Sequence, residues 1–197
     1  MPTPAVKRAP APISAAWLFA RNFFKHPSML GSIVPSSPFL VKDLMGQIDW
    51  DRARVLVEFG PGVGTITREV LKRMRSDAVM LVIELNPDFV DYLGHTIRDP
   101  RLRIVHGSAA HVCRILAEQG LAPADYIISS LPYSLLREEL RREIVSESRN
   151  ALKAQGSLLV FQYNRFLLPY LKSSFSSVRQ GFQPLNILPA LIFHCTP

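Results

Sequence analysis

The chain has 197 residues, 48% of them hydrophobic, enough to bury one substantial core with little left for a second. Its 23 lysines and arginines outweigh 16 aspartates and glutamates, and the resulting charge of +7 and pI near 9.8 point to an anionic partner, either membrane or nucleic acid. The two cysteines, Cys113 and Cys195, make neither a zinc pattern nor a disulfide framework, and no apolar run reaches the ~18 residues of a spanning helix, so a reducing cytoplasm is the expected setting.

Residues 1–12, rich in Pro and Ala, read as a flexible tail. Lys7 and Arg8 precede an apolar stretch, but Arg21 and Lys25 interrupt it soon after Trp17, which argues against a signal peptide. Residues 13–50 read as an amino-terminal helical segment. A helix over Ile13–His26 puts Ile13, Ala16, Trp17, Ala20, Phe23 and Phe24 on one face with Arg21 and Lys25 beside it. Such a face suits a headgroup layer, with aromatics inserted and cations over anionic lipid, or packing on a protein core. His26 is placed to meet a phosphate, to act as a base, or to cap the helix end. Pro35 and Pro38 break the chain before a short helix over Pro38–Met45.

Residues 51–197 alternate strand and helix as one α/β unit. Strand one covers Arg54–Phe59 and runs into Gly60-Pro-Gly62-Val-Gly64, a turn whose glycines allow backbone to approach a ligand closely; its helix covers Thr65–Arg75. Thr65 and Ile66 follow the third glycine, so the dinucleotide fingerprint is not met. Strand two, Val79–Glu84, ends in a carboxylate placed to accept hydrogen bonds from a ribose, and a helix over Pro87–Ile97 follows. Strand three is Leu102–His106, followed by Ser108 and Ala109 and a helix from Ala110 to Glu118. Strand four, Asp125–Ser129, leads into Ser130-Leu-Pro-Tyr133 at the end of the sheet where open α/β folds bind ligands. A long helix is expected from Leu135 to about Leu152, ended by Gly156, with strand five over Ser157–Tyr163. Asn164–Ser174 reads as a helix broken by Pro169, and Val178–Phe182 with Leu188–Cys195 as an antiparallel hairpin closing the sheet.

Glu58, Gly60, Gly62 and Gly64 resemble motif I of the class I S-adenosylmethionine-dependent methyltransferases, and Glu84 matches their ribose-binding acid. The resemblance implies a Rossmann-like, mostly parallel seven-stranded sheet. It also implies S-adenosylmethionine as cofactor, S-adenosylhomocysteine as product, and cofactor contacts from Glu58, Gly60, Gly62, Gly64, Glu84, Ser108, Ala109 and Ser130. The Ser130–Tyr133 segment is similar both to the Asn-Leu-Pro-Tyr motif of ribosomal RNA adenine dimethyltransferases and to the Ser-x-Leu-Pro motif of bacterial phospholipid N-methyltransferases, with Ser130 where the RNA enzymes carry asparagine. Phe24-Lys-His-Pro-Ser-Met-Leu-Gly-Ser-Ile-Val-Pro-Ser-Ser37 resembles the start of the soluble PmtA-type phospholipid N-methyltransferases.

That second resemblance implies methylation of the phosphatidylethanolamine amine, in one or more steps toward phosphatidylcholine, by a cytoplasmic monomer bound peripherally to the inner face of the membrane. Tyr133 is then expected at the reacting end, its ring against cationic groups, with its hydroxyl or the carbonyls of Ser130 and Leu131 orienting the amine. His26 joins that catalytic set. Tyr163 is expected to line the acceptor pocket and Arg165 to pair with a lipid phosphate, while Trp17, Arg21, Phe23, Phe24 and Lys25 meet the membrane; no metal is expected. Two alternatives stand beside this reading: a ribosomal RNA adenine N6-methyltransferase, for which the positive charge would serve, and a non-enzymatic binding module on the same fold.

Overall fold

A computed structural model describes residues 37–186 and 188–197. The amino-terminal helix expected over Ile13–His26, with Trp17, Arg21, Phe23, Phe24, Lys25 and His26, lies outside the described residues, as does the flexible tail.

Seven strands form one mixed sheet in the order β3-β2-β1-β4-β5-β7-β6. The strands are β1 Val55–Phe59, β2 Val79–Glu84, β3 Leu102–His106, β4 Ala124–Ser129, β5 Leu152–Gln162, β6 Ser177–Gln183 and β7 Ala190–Thr196. The first five are parallel, while β7 runs antiparallel to both β5 and β6. Strand β1 is buried along its whole length, which is why its residues, Glu58 apart, are apolar rather than alternating.

Helices α1 Pro38–Met45, α2 Thr65–Arg73, α3 Pro87–Thr96, α4 Val112–Glu118, α5 Glu138–Ala151 and α6 Leu168–Ser174 complete the described layers. Two apolar clusters fill the space on either side of the sheet. One joins Val57, Phe59 and Ile127 to Ile144 and Val145 of α5, and the other joins Leu56, Met80 and Ile128 to α1 and α2. Ser37 starts α1, its hydroxyl accepting the Leu40 amide at 3.1 Å, and Leu40, Val41, Leu44 and Met45 are buried. This helix is therefore packed on the sheet. Among the described residues no helix is long and apolar enough to cross a membrane.

Three expectations are corrected. Helix α5 starts at Glu138 instead of Leu135, because Tyr133–Leu135 forms a 3-10 turn. Strand β5 begins at Leu152, so Gly156 lies inside it and does not end the helical unit; a Cβ there would sit 2.8 Å from the Ala124 carbonyl oxygen, where the pairing of β4 and β5 shifts register. Pro169 does not break a helix over Asn164–Ser174. It occupies the first turn of α6, where its missing N–H costs nothing.

Candidate active site

The parallel order reverses at β1, with β2 and β3 on one side and β4 on the other, and the loops beyond the carboxyl ends of these strands occupy the place where open sheets bind ligands. Backbone bonds carry the sheet past its strands there: the Gly60 amide donates to the Ile83 carbonyl at 3.0 Å, Ser130 to Phe59 at 3.1 Å and Gly107 to Glu84 at 2.9 Å. The loops after β1, β2, β3 and β4 are thus held edge to edge.

The three loop glycines all take left-handed backbone, with φ of 65° at Gly60, 56° at Gly62 and 79° at Gly64, yet they meet different surroundings. A Cβ on Gly60 would lie 3.0 Å from Leu131 Cδ2 and one on Gly64 2.7 Å from Leu93 Cδ2, so these two serve close packing of loop on loop and helix on helix. Nothing lies within 4 Å of a Cβ on Gly62. Its open side is where a ligand can approach main chain. Glu84 fixes this loop, one carboxylate oxygen accepting the Gly62 amide at 3.2 Å and the other the Asn86 amide at 2.9 Å. Arg68 closes it from below, donating to the carbonyls of Val63 and Gly64.

Glu58 is 1% exposed and accepts the Thr67 hydroxyl at 2.6 Å. Burial pushes its carboxyl up to about 8, the Thr67 bond opposing and the Glu84 charge adding to the rise. Burial raises Glu84 as well, against the backbone amides of Asn86, Gly62 and Leu85. Among the described residues no lysine or arginine is bonded to either carboxyl. Two buried acids without a hydrogen-bonded cation gain from a positively charged ligand, which favours their ionised form, and offer a phosphate no counter-charge. The methionine end of S-adenosylmethionine, with a sulfonium and an ammonium, has that charge, and its neutral ribose hydroxyls suit the remaining lone pairs of Glu84. The residues present fit the cofactor.

On β3's side, Ser108 caps the 3-10 turn Ala109–His111, its hydroxyl accepting the Ala110 amide at 3.3 Å, and the Ala109 side chain is buried in the core. Both stand beside Glu84 through the Gly107 bond. His106 is exposed and its Nε2 lies 3.0 Å from the Leu85 carbonyl oxygen.

Beyond β4 and β5 lies a cleft of about 190 Å³, lined by Ser130, Leu131, Pro132, Leu135, Tyr163 and Leu188 among others. Ser130 Oγ is buried and has no hydrogen-bond partner, an orphan hydroxyl at the point where the glycine loop and this cleft meet. Tyr163 presents a half-buried ring, set edge-on to Phe161, and burial raises its phenol from the ordinary range. Arg165 is exposed just beyond it.

Tyr133 and Leu131 need correction. The Tyr133 side chain is 0% exposed, packed in the core, and its phenol shares a 3.0 Å bond with Ser129 Oγ, so its ring cannot face an acceptor amine. Burial holds that phenol well above the ordinary range. The Leu131 carbonyl already accepts the Gln162 amide group at 2.9 Å and the Tyr133 backbone amide at 3.0 Å, which uses both lone pairs. The residue that sequence reasoning missed is Arg141. It is 5% exposed, donates to the carbonyls of Tyr133 at 3.0 Å and Leu136 at 2.6 Å and to the Tyr170 hydroxyl at 2.9 Å, and lies 4.3 Å from the Phe166 ring centroid. It ties the turn after β4 to the segment after β5. Its one sequence signal was an arginine on the apolar stripe of α5.

The family model of ribosomal RNA adenine dimethylases matches residues 19–164. Ornithine lipid N-methyltransferase of Singulisphaera acidiphila is 31% identical over 185 residues, covering 91% of this chain and 94% of that protein. Ribosomal RNA small subunit methyltransferase A of Mycoplasma capricolum is 30% identical over 105 residues, covering 51% of this chain and 37% of the relative. Among solved structures, a SAM-dependent methyltransferase from Aquifex aeolicus superposes with a TM-score of 0.64 at 11% identity, over 94% of this chain and all of that one, a likeness of fold. With glycines and acids standing at the switch point of such a sheet, and with the sequence match running through β5, the chain belongs to the ribosomal RNA adenine dimethylase family and is a class I S-adenosylmethionine-dependent methyltransferase.

Proposed function

We propose that the chain methylates the amino group of a membrane lipid, with phosphatidylethanolamine as acceptor, at the cytoplasmic surface of the membrane. The observation that carries this reading is the cleft after β4 and β5. Leu131, Pro132, Leu135, Phe161 and Leu188 give it apolar walls, and the unpartnered Ser130 hydroxyl, Ser134, Gln162, Tyr163 and Asn164 give it uncharged polar groups. An unpartnered hydroxyl and two aromatic rings, Phe161 and Tyr163, in about 190 Å³ suit a compact amine headgroup. The near full-length likeness to a lipid N-methyltransferase supports the same class of acceptor, and makes the amine of an ornithine lipid the second substrate to test. The family match and the charge of +7 favour RNA as the rival acceptor.

Bound S-adenosylmethionine supplies an electrophilic methyl group on sulfur. The chain's own residues then have three tasks. Gly62 and Glu84 place the cofactor beside the end of β4, and the buried Glu58 acts on its positive end by charge at a distance, without contact. Ser130 Oγ, at the junction of loop and cleft, accepts a hydrogen bond from the acceptor amine and directs the nitrogen lone pair. Tyr163 faces the ammonium and its methylated products with its ring, and its raised phenol stays neutral at physiological pH, so it orients without removing the proton. An ammonium titrating near roughly 10 must lose a proton before attack, and water at the cleft receives it.

Expression in a bacterium that makes phosphatidylethanolamine but no phosphatidylcholine, followed by lipid mass spectrometry, tests the reading. Monomethyl or more highly methylated phosphatidylethanolamine is expected, and should vanish in the Glu84→Ala variant. An unchanged lipid profile beside newly methylated adenine in ribosomal RNA would refute it.

A further inference from the structure

The large apolar side chains exposed among the described residues all lie at one end of the sheet. Leu85 follows β2, Leu135 follows β4 and Phe166 follows β5. Strand β6 runs parallel to β5, because both are antiparallel to β7, so the β6–β7 hairpin turns at this same end and brings Phe182, Leu185 and Leu188 with it. Phe39 joins them, since the start of α1 is tied to the hairpin by Ser37, whose amide donates to Asn186 Oδ1 at 2.9 Å and whose hydroxyl donates to the Leu185 carbonyl at 2.8 Å. Exposure of these seven ranges from 46% to 69%, far above what a packed side chain retains.

The opposite end is different in kind. Arg54 and Arg75 pair with Asp77, Arg101 with Asp99 and Lys153 with Asp125, all at or before the amino ends of the parallel strands. No large apolar side chain among the described residues is exposed there. At the apolar end Arg137 stands two residues after Leu135 and Arg165 directly before Phe166, both exposed and neither in an ion pair among the described residues. A soluble surface spreads its apolar side chains singly; gathering them at one pole beside unpaired cations marks an interaction face.

We infer that this pole is a docking face for the surface of an anionic lipid bilayer, its apolar tips entering the headgroup layer and Arg137 and Arg165 meeting lipid phosphates. The inference rests on the lipid reading above and deepens it. Leu135 and Leu188 belong both to the face and to the wall of the acceptor cleft, so docking brings the cleft to the level of the headgroups without lifting a lipid out of the membrane. Apolar area sets the salt-independent part of the affinity and the two arginines the salt-dependent part.

The test uses the full chain and vesicles of phosphatidylethanolamine with phosphatidylglycerol. A Phe39→Ser, Phe182→Thr, Leu185→Ser variant changes only side chains outside the cleft. It should partition onto the vesicles roughly tenfold less at every salt concentration, while methylating detergent-dispersed phosphatidylethanolamine at the parent's rate. Arg137→Glu should weaken partitioning chiefly at low salt. Should the triple variant fold poorly, Leu185→Trp gives a second readout: its added emission should be quenched by brominated acyl chains. Partitioning equal to the parent's, or no such quenching, overturns the docking face and leaves the lipid reading standing. Loss of structured-RNA binding in place of vesicle binding assigns the face to nucleic acid and overturns it. A parent that methylates no lipid in vesicle or detergent overturns the reading beneath it.

Discussion

Glu58→Gln offers the sharpest physical test of the cofactor end of the site. The native protein raises this carboxyl from 4.5 to about 8, chiefly by burial, so between those values the folded chain holds a proton that the unfolded chain has released. Stability from this group is complete below about 4.5 and is lost as pH rises through about 8. Each pH unit within the window is worth up to about 1.4 kcal/mol, and the change from pH 5 to pH 8 is on the order of 3 kcal/mol. Glutamine keeps an oxygen for the Thr67 hydroxyl and cannot ionise. Urea unfolding of parent and variant at a series of pH values should therefore show the variant gaining on the parent as pH rises, by about that amount. Binding is linked to the same proton. A ligand bearing a sulfonium and an ammonium favours the ionised carboxyl, so S-adenosylmethionine should release a proton on binding to the parent near pH 7 and not to the variant, read by calorimetry in buffers of different ionisation enthalpy. Parallel stability curves, together with equal proton release, would refute the assignment of a neutral buried Glu58 to this site.

The two reasons for glycine in the loop, ligand approach and close packing, should separate on substitution. Gly62→Ala, strained only by its φ, should cost about 1 kcal/mol of stability and weaken S-adenosylmethionine binding, whereas Gly64→Ala, which also drives a Cβ into Leu93, should cost about 2–3 kcal/mol, both measured by denaturant unfolding. Ser130→Ala removes a hydroxyl without a partner, so thermal unfolding should be unchanged or slightly raised while methyl transfer falls about tenfold. Arg141→Lys keeps the charge but cannot bridge Tyr133, Leu136 and Tyr170; it should cost about 2 kcal/mol and lower kcat while S-adenosylmethionine affinity, set across the sheet, holds.

Where backbone chemistry decides conformation, the sequence was legible. An apolar run ending in Glu58, three alternating glycines and a second run ending in Glu84 led to the sheet, the switch point and the cofactor end, because buried parallel strands and left-handed turns restrict residue choice. Side-chain direction was not legible. Tyr133 reads the same whether it points into the cleft or into the core, and the choice depends on Ser129 offering its phenol a partner and on Arg141 pulling the turn down from a helix that begins five residues later. Gly156 reads as a helix stop, although its neighbour in space, the Ala124 carbonyl, lies across the sheet and far away in sequence. The asymmetry of the two ends was invisible for the same reason, since Phe39 and Leu185 are brought to one end by the bonds of Ser37 and of Gln183 with Asp43.

Transfer of labelled methyl from S-adenosylmethionine to competing acceptors is the measurement that bears most directly on the central claim. The purified chain would be offered anionic vesicles containing phosphatidylethanolamine, matched vesicles containing an ornithine lipid, and structured ribosomal RNA in the same reaction. Label is expected in the phosphatidylethanolamine headgroup, lost in Glu84→Ala and reduced in Ser130→Ala. Label confined to RNA, with both lipids left unmethylated, would contradict that claim.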